Sequence, residues 1–273
     1  MKLRYFGTAA YEGVPALFCQ CAVCRKSRLA GGRNIRSRQQ ALLDGVLLFD
    51  FNADTVSHAQ RYGLDFSTVT DCLITHSHCD HLYPDDVEIA AKPYSHEHPL
   101  IRFYAAADGY GKLLPFTRKA ESNASATLAE AGREFVTAGG YRVLPLAADH
   151  DPASSPVIYA VEKDGKRMLY AHDTGMFPEE TFAGLAAFGK LDFISFDCTG
   201  CLGAGGAWRY GHMSLQTVKE VFARLCALGA ADERTVKVLS HFSHNGGQTH
   251  DEMCAVAEKE GYIVAYDGME VSF

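Results

Sequence analysis

No apolar run among the 273 residues approaches the roughly 20 that a spanning helix needs. The opening MKLRYFGTAAYEG likewise lacks the apolar core of a secretory leader. The expectation is a soluble, unprocessed, cytoplasmic protein that engages no membrane. An excess of positive charge is also missing: 26 basic residues stand against 33 acidic ones, for a formal net charge of -7. Phosphate backbones are gripped by clustered Lys and Arg, so this balance disfavours nucleic acid as a partner and confines any such role to a local site. Internal repeats, low-complexity tracts and interdomain linkers are absent too. With 47% hydrophobic and 22% charged residues, the composition is that of a globular protein. The length suffices to bury about three quarters of the unfolded surface, and residues 1–273 read as one domain.

What the sequence does hold is 12 His and 9 Cys. An odd number of cysteines scattered through a large chain without a leader points to reduced thiols, some of them metal ligands, and not to a disulfide framework.

Lys2 to Phe6 alternates like a strand and ends at Gly7. The polar stretch Thr8 to Gln40 is too long for an ordinary connection and must be pinned by something. Ala41 to Phe51 reads as a hairpin about Asp44-Gly45. Asp54 can cap a helix that stops at Gly63, Val69 to Ile74 is a buried strand, Pro84 to Ala91 a short helix and Leu100 to Ala105 a strand. Asp108 to Ala131 is read as a pair of surface helices. Strands follow at Glu134 to Thr137, Tyr141 to Leu146, Pro156 to Glu162 and Arg167 to Ala171, with a hairpin turn at Asp164-Gly165. From Pro178 the order is helix, strand (Leu191 to Phe196), Gly-rich loop, helix (Ser214 to Leu228), strand (Val236 to Ser240), helix (His250 to Glu260) and strand (Tyr262 to Tyr266). Hairpins in some places and crossovers in others imply an α+β fold with mixed sheets.

The central signal is Thr75-His76-Ser77-His78-Cys79-Asp80-His81, directly after a buried strand. Three imidazoles and a carboxylate suit Zn²⁺ or a similar first-row ion. His76 and His78, two apart, can grip one ion while Asp80 and His81 point toward a second. His150, Asp173 and His241 each follow a predicted strand, where a sheet delivers side chains to a common edge.

Asp50, His76-x-His78-x-Asp80-His81, His150, Asp173 and His241 together resemble the signature motifs of the metallo-β-lactamase superfamily, in the family's order. The resemblance implies an αββα four-layer sandwich with a dinuclear site at one edge. By position, His76, His78 and His150 would bind one ion, Asp80, His81 and His241 the other, Asp173 would bridge them, and Asp50 would orient the site. His58, His96, His98, His172 and His250 match none of these positions and are read as structural or surface residues.

Cys19-x-Cys21-x2-Cys24, with His244 three residues after His241, completes a Cys₃His set, the composition of a closed structural zinc site. A metal-binding loop at about 17–26 would explain how the long N-terminal stretch is held. The remaining cysteines, Cys72, Cys79, Cys198, Cys201, Cys226 and Cys254, are assigned to packing, Cys79 pointing away from the metals on alternation. The Cys cluster, the His241-x2-His244 pair, Tyr266-Asp267-Gly268-Met269-Glu270, Gly7-Thr8-Ala9 and Gly13-Val14-Pro15-Ala16 resemble the phosphoribosyl 1,2-cyclic phosphate phosphodiesterases of bacterial phosphonate breakdown. That family places a His before a late helix near the leaving group, and His212 occupies the matching place. The stretches 96–139 and 200–211 depart from the family, and Trp208, Arg209 and Tyr210 either border the substrate or anchor their loop.

The reading is a dinuclear metal-dependent phosphodiesterase for a small or cyclic phosphodiester. Hydroxide generated between two ions, Zn²⁺ or Mn²⁺, attacks phosphorus, with His212 as general acid and Asp80 and Asp173 organising the ions. A third ion, zinc, is structural, and a homodimer is allowed. The alternatives are a tRNA 3′-end processing endonuclease and a non-catalytic zinc-binding protein.

Overall fold

The computed structural model describes residues 1–273. In chain order its elements are β1 (Lys2–Gly7), α1 (Ala22–Ala30), β2 (Gln40–Leu43), β3 (Leu47–Phe49), α2 (Thr55–Tyr62), β4 (Asp71–Ile74), β5 (Ile101–Ala105), α3 (Ala107–Thr117), β6 (Ala124–Leu128), β7 (Phe135–Val136), β8 (Arg142–Ala147), β9 (Val157–Lys163), β10 (Lys166–Ala171), α4 (Glu179–Phe188), β11 (Phe193–Asp197), α5 (Leu215–Ala227), β12 (Val236–Ser240), α6 (His250–Ala257), β13 (Ile263–Val264) and β14 (Glu270–Ser272). The strands form two seven-stranded sheets, ordered β14-β1-β2-β3-β4-β5-β6 and β13-β12-β11-β10-β9-β8-β7. Each is mixed. Hairpin-linked antiparallel strands occupy one side, and parallel strands joined by helices continue it from β3 to β6 and from β10 to β13.

Turn chemistry sets the hairpins. Asp44 and Gly45 take φ of 51° and 74°, and Asp164 and Gly165 take 52° and 75°, the left-handed pair that a two-residue hairpin turn requires. Leu43 thereby pairs with Leu47 and Lys163 with Lys166.

Alternation then decides what each strand buries. Leu3, Tyr5, Leu43, Phe49 and Leu73 of one sheet meet Tyr159, Met168, Tyr170, Phe193 and Val238 of the other in one buried cluster. Phe49 stacks on Tyr170 with ring centroids 4.2 Å apart, and truncating either ring to Ala would cost about 3–5 kcal/mol. The outer faces are apolar as well. The first sheet packs Ile74, Ile101 and Phe103 with Val87 and Leu113, and the second packs Leu144, Ile194 and Leu239 against Phe182, Leu185, Val218, Val221 and Met253 of the helices. Helix, sheet, sheet, helix is therefore the layer order, as the αββα expectation has it. No helix is long and apolar enough to cross a membrane.

Several local expectations are corrected. The stretch Asp108 to Ala131 holds one helix, α3, and then a strand, β6, which lies parallel to β5. The weak preferences of Ala-Ser-Ala-Thr-Leu yield to the hydrogen-bonding edge that β5 offers. Pro84–Ala90 is a 3₁₀ helix. Asp54 makes no capping bond: its carboxylate accepts from the Arg38 backbone N–H (3.0 Å) and guanidinium (3.1 Å). The polar N-terminal stretch contains α1, and β14 closes the sheet beside β1; neither was foreseen.

Candidate metal centre and active-site cleft

The histidines and carboxylates converge because strands from both sheets end at the same edge. Asp50 directly follows β3, the Thr75–His81 loop follows β4, His150 and Asp173 lie just past β8 and β10, Asp197 ends β11, and His241 follows β12. Asp50, Asp173 and His241 have φ of 65°, 53° and 61°. That left-handed conformation is uncommon outside glycine but enriched for Asp and His. It breaks each strand within one residue, and all three side chains are buried at the sheet edge.

Two donor groups face each other across Asp173. On one side His76 Nε2 lies 3.0 Å from His78 Nδ1, and His150 Nε2 lies 3.3 Å from the same atom. On the other, His81 Nε2 lies 3.3 Å from His241 Nε2 and 3.4 Å from Asp80 Oδ2. Asp173 Oδ1 faces the first group, 4.0 Å from His76 Nε2 and 3.5 Å from His150 Nε2. Its Oδ2 faces the second, 2.8 Å from His81 Nε2 and 2.9 Å from His241 Nε2.

The donors fit divalent ions on three counts. Ligand atoms bonded at 2.0–2.1 Å to a tetrahedral ion stand about 3.3 Å apart, the spacing of these nitrogens. Asp173 Oδ2 is buried without a well-formed hydrogen bond, which leaves a buried carboxylate oxygen in want of a cation. Finally, the opposite ring nitrogen of each His is engaged by its surroundings. His81 Nδ1 meets Asp50 Oδ2 (2.8 Å), His241 Nδ1 meets Thr199 Oγ1 (2.8 Å), His150 Nδ1 meets the Gly211 carbonyl (3.0 Å), His76 Nδ1 meets Thr75 Oγ1 (3.1 Å), and His78 turns Nε2 outward to Asp151 Oδ2 (3.2 Å). Such outer partners orient metal-binding imidazoles. Electrostatics agrees. Burial works against charge on His81, but the carboxylates of Asp173, Asp50 and Asp80 outweigh it and raise its pKa well above the usual imidazole range, a concentration of negative charge that a bound cation would answer in place of that proton. Burial opposes charge on Asp173 as well, and the histidines around it overcome that and keep it ionised.

His212 stands at the open side of this group. Its Nδ1 is 3.0 Å from Asp197 Oδ2, 3.2 Å from Thr199 Oγ1 and 3.9 Å from Asp173 Oδ1. Burial opposes its protonation, yet the Asp197 carboxylate raises its pKa above the usual imidazole range. The cleft here encloses about 480 Å³. A more apolar cavity of about 350 Å³, lined by α2 and the Pro84–Ala90 turn, holds none of these residues.

Cys19, Cys21, Cys24 and His244 also come together, with all donor atoms within 4.8 Å of one another. His244 Nδ1 lies 3.5 Å from Cys19 Sγ and 3.4 Å from Cys21 Sγ, close to a tetrahedral edge between sulfur and nitrogen. Cys21 caps α1 and accepts from the Cys24 backbone N–H. Burial opposes ionisation there, but that N–H and His244 pull the Cys21 thiol down to about 6, toward the thiolate that binds metal.

Other expectations fare unevenly. Cys79 is exposed and lines the cleft, because the motif forms a turn in which strand alternation does not apply. Trp208 lines the cleft, whereas Arg209 pairs with Glu220 and Tyr210 is largely exposed. His172 is fully buried and bonds Ser195 Oγ at 2.8 Å. His58 is buried in a hydrogen-bonded line. Gln40 donates its amide N–H to the Asp50 carbonyl (2.9 Å) and so turns its oxygen to His58 Nδ1 (2.6 Å). His58 Nε2 faces Ser37 Oγ (2.8 Å), which also faces Asp267 Oδ2 (2.6 Å). One hydroxyl proton cannot serve both, so the line needs a proton on either His58 or Asp267. Burial pulls His58 down to about 4 and pushes Asp267 up to about 6. Asp197 and Thr199 escaped the sequence reading. The available signal was that Asp197, like the other site residues, ends an apolar strand.

The family model described as β-lactamase superfamily domain matches residues 38–242. In structure the chain resembles the Zn²⁺-bound PqqB of Methylobacterium extorquens at 18% identity and a TM-score of 0.76, covering 100% of both chains. It resembles a diphosphatase from the PhnP family at 21% identity and a TM-score of 0.75, over 100% of this chain and 97% of that one, which fits the narrower of the two sequence resemblances. Against the short form of human tRNase Z the values are 17% and 0.65, over 100% and 99%. No curated protein matches in sequence.

Proposed function

The chain belongs to the metallo-β-lactamase superfamily, and from that premise we propose that it is a metal-dependent hydrolase of a small or cyclic phosphodiester. The observation that carries this reading is Asp173: a single carboxylate whose two oxygens face two separate donor groups on the floor of an open cleft. Residues His76, His78 and His150 would hold one divalent ion and Asp80, His81 and His241 the other, Zn²⁺ or Mn²⁺, with a structural zinc on Cys19, Cys21, Cys24 and His244. Bound ions would supply Lewis acidity and charge neutralisation for an anionic ester at neutral pH.

The chain's own part is positional. Asp50, Thr199 and Gly211 fix imidazole orientation, and Asp173 keeps the two groups in register. Asp197 accepts the Nδ1–H of His212 and thereby leaves the proton on Nε2 as the one to be given to a departing alkoxide. No side-chain nucleophile is required. We read the chain as one domain acting in the cytoplasm, able to work as a monomer or homodimer. The test is turnover by metal-loaded protein of bis-p-nitrophenyl phosphate, p-nitrophenyl acetate and a tRNA precursor. Hydrolysis of the first alone supports the proposal, preference for the precursor would replace it with a processing endonuclease, and inertness toward all three would favour a zinc-binding protein.

A further inference from the structure

The cleft does not end at Tyr11 and Glu12. These two residues also line an adjoining pocket of about 420 Å³, whose other walls include Leu17, Phe18 and Arg38. Tyr11 is 56% exposed, Leu17 77% and Phe18 93%, and the backbone is tied down at Tyr11 and next to Phe18. Phe18 precedes Cys19, a member of the Cys₃His group. Tyr11 is held from behind by Arg38, whose Nε donates to the Tyr11 carbonyl at 2.9 Å and whose guanidinium carbon lies 5.5 Å from the ring centroid. Arg38 itself is neutralised by Asp54 at 3.1 Å. Exposed aromatic surface on anchored backbone beside a cleft is suited to contact with something flat and apolar.

Charge narrows the class. No lysine or arginine lines the cleft, which departs from the usual way of gripping a doubly charged phosphate. Glu12 stands instead at the junction of the two pockets. Its Oε1 accepts from Ser243 Oγ at 2.5 Å and lies 3.6 Å from His244 Nε2, and no Lys or Arg pairs with it. A second negative charge on the substrate would meet this carboxylate across a short distance.

Resting on the phosphodiesterase reading, we infer that the substrate is a singly charged phosphodiester that carries an uncharged ring, seated across Tyr11 against Phe18, and that Glu12 selects against doubly charged phosphates. Both Phe18 and Glu12 then determine specificity without taking part in bond breaking.

Trp208, the only tryptophan, lines the cleft, so its fluorescence reports occupancy without turnover. Metal-loaded protein is titrated with diphenyl phosphate, dimethyl phosphate and phenyl phosphate at pH 8, where only the last carries two charges, and with benzoate and acetate. Diphenyl phosphate should bind about tenfold tighter than dimethyl phosphate, and Phe18→Ala should bring that ratio close to one. Glu12→Gln keeps the side-chain shape and an oxygen for Ser243; it should tighten phenyl phosphate relative to diphenyl phosphate by about fivefold or more. Ratios that neither variant moves would overturn the inference. So would a fall in zinc content and thermal stability in Glu12→Gln without a change in ratio, which would make Glu12 a prop for His244. A dimer that Phe18→Ala dissociates while leaving the ring preference intact would assign Phe18 to a second copy of the chain and also overturn it. Failure of the phosphodiesterase reading is seen separately. All three phosphates would then bind without discrimination by charge or ring and bis-p-nitrophenyl phosphate would not be turned over, whereas a benzoate-over-acetate preference lost in Phe18→Ala would still support the ring pocket.

Discussion

Replacing His212 by Ala tests the proposed proton transfer, and its outcome depends on the leaving group. Asp197 fixes the ring: Oδ2 accepts from His212 Nδ1 at 3.0 Å, while the same carboxylate takes the backbone N–H groups of Asp173 (3.0 Å), Thr199 (3.0 Å) and Met213 (3.1 Å). With Nδ1 so engaged, Nε2 is the nitrogen that the proposed reading leaves to donate. Positioned general-acid help is worth about 10²- to 10⁴-fold, or about 3–5 kcal/mol of barrier, only where the departing oxygen needs a proton. The loss in His212→Ala should reach that range for a five-membered cyclic alkyl phosphodiester, which expels an alkoxide, and stay within about tenfold for bis-p-nitrophenyl phosphate, whose phenolate leaves unaided. Asp197→Asn should reproduce part of the loss with the same leaving-group dependence. Initial rates on both substrates, by phosphorus NMR and by absorbance, give the two ratios, and metal analysis should show wild-type content in His212→Ala. Equal losses on both substrates would refute the general-acid assignment and leave His212 a packing residue.

Asp173→Asn removes the charge that faces both donor groups and should abolish turnover; wild-type activity with both ions retained would contradict the dinuclear reading. A Cys21→Ser/Cys24→Ser variant should lose one zinc per chain by elemental analysis while the His/Asp centre still loads, and unchanged zinc would remove the structural site. Gly7→Ala would set a Cβ 1.9 Å from the Arg38 carbonyl oxygen, so either β1 or the Arg38 segment must shift; a loss of about 1–3 kcal/mol or more in denaturant unfolding is expected. The His58 line has a pH signature. With a folded value of about 4 against an unfolded value of about 6.5, His58 contributes stability that is present above pH ~6.5 and lost, by about 3 kcal/mol, as pH falls toward 4. Asp267, with a folded value of about 6, has the opposite sign: it destabilises above pH ~6 and is relieved on acidification, so the two offset each other. Asp267→Asn should therefore lose about 2 kcal/mol more than wild type between pH 7 and 4 in urea unfolding, and parallel pH profiles would show that the line carries no such proton.

Much of the fold was legible where local chemistry and tertiary demand coincide. Asp44-Gly45 and Asp164-Gly165 announce their hairpins because left-handed backbone is needed there and those residues tolerate it. Val69 to Ile74 announces a strand because it is buried on both faces, between the inter-sheet core and the outer helices. Legibility failed where pairing partners are distant. Ala-Ser-Ala-Thr-Leu at 124–128 has no strand pattern of its own and becomes β6 only against β5. Glu270–Ser272 gains its place from the free edge of β1, more than 260 residues earlier in the chain. Asp54 sits where a cap would, but Arg38 reaches it first.

The site divides along the same line. Its inner donors could be found because metal ligation demands particular residue types at strand ends, and His, Cys and Asp at such places are rare enough to be noticed. Of the groups that orient them only Asp50 was reached, through the family motif; the others could not be, because an outer partner needs only one acceptor at the right distance. Here a hydroxyl (Thr199), a carbonyl (Gly211) and two carboxylates (Asp50, Asp151) serve equally well. Asp197 carries the structural consequence of that freedom. It receives two histidines and three backbone N–H groups from chain segments between residues 173 and 241, so it ties the β10, β11 and β12 strand ends into one unit. Its burial would be costly if any of those donors were withdrawn. The order of the ligand cluster therefore depends on a carboxylate that belongs to no ligand motif, and Asp197→Asn should loosen His241 and His212 together, since a single oxygen, Oδ2, faces both rings.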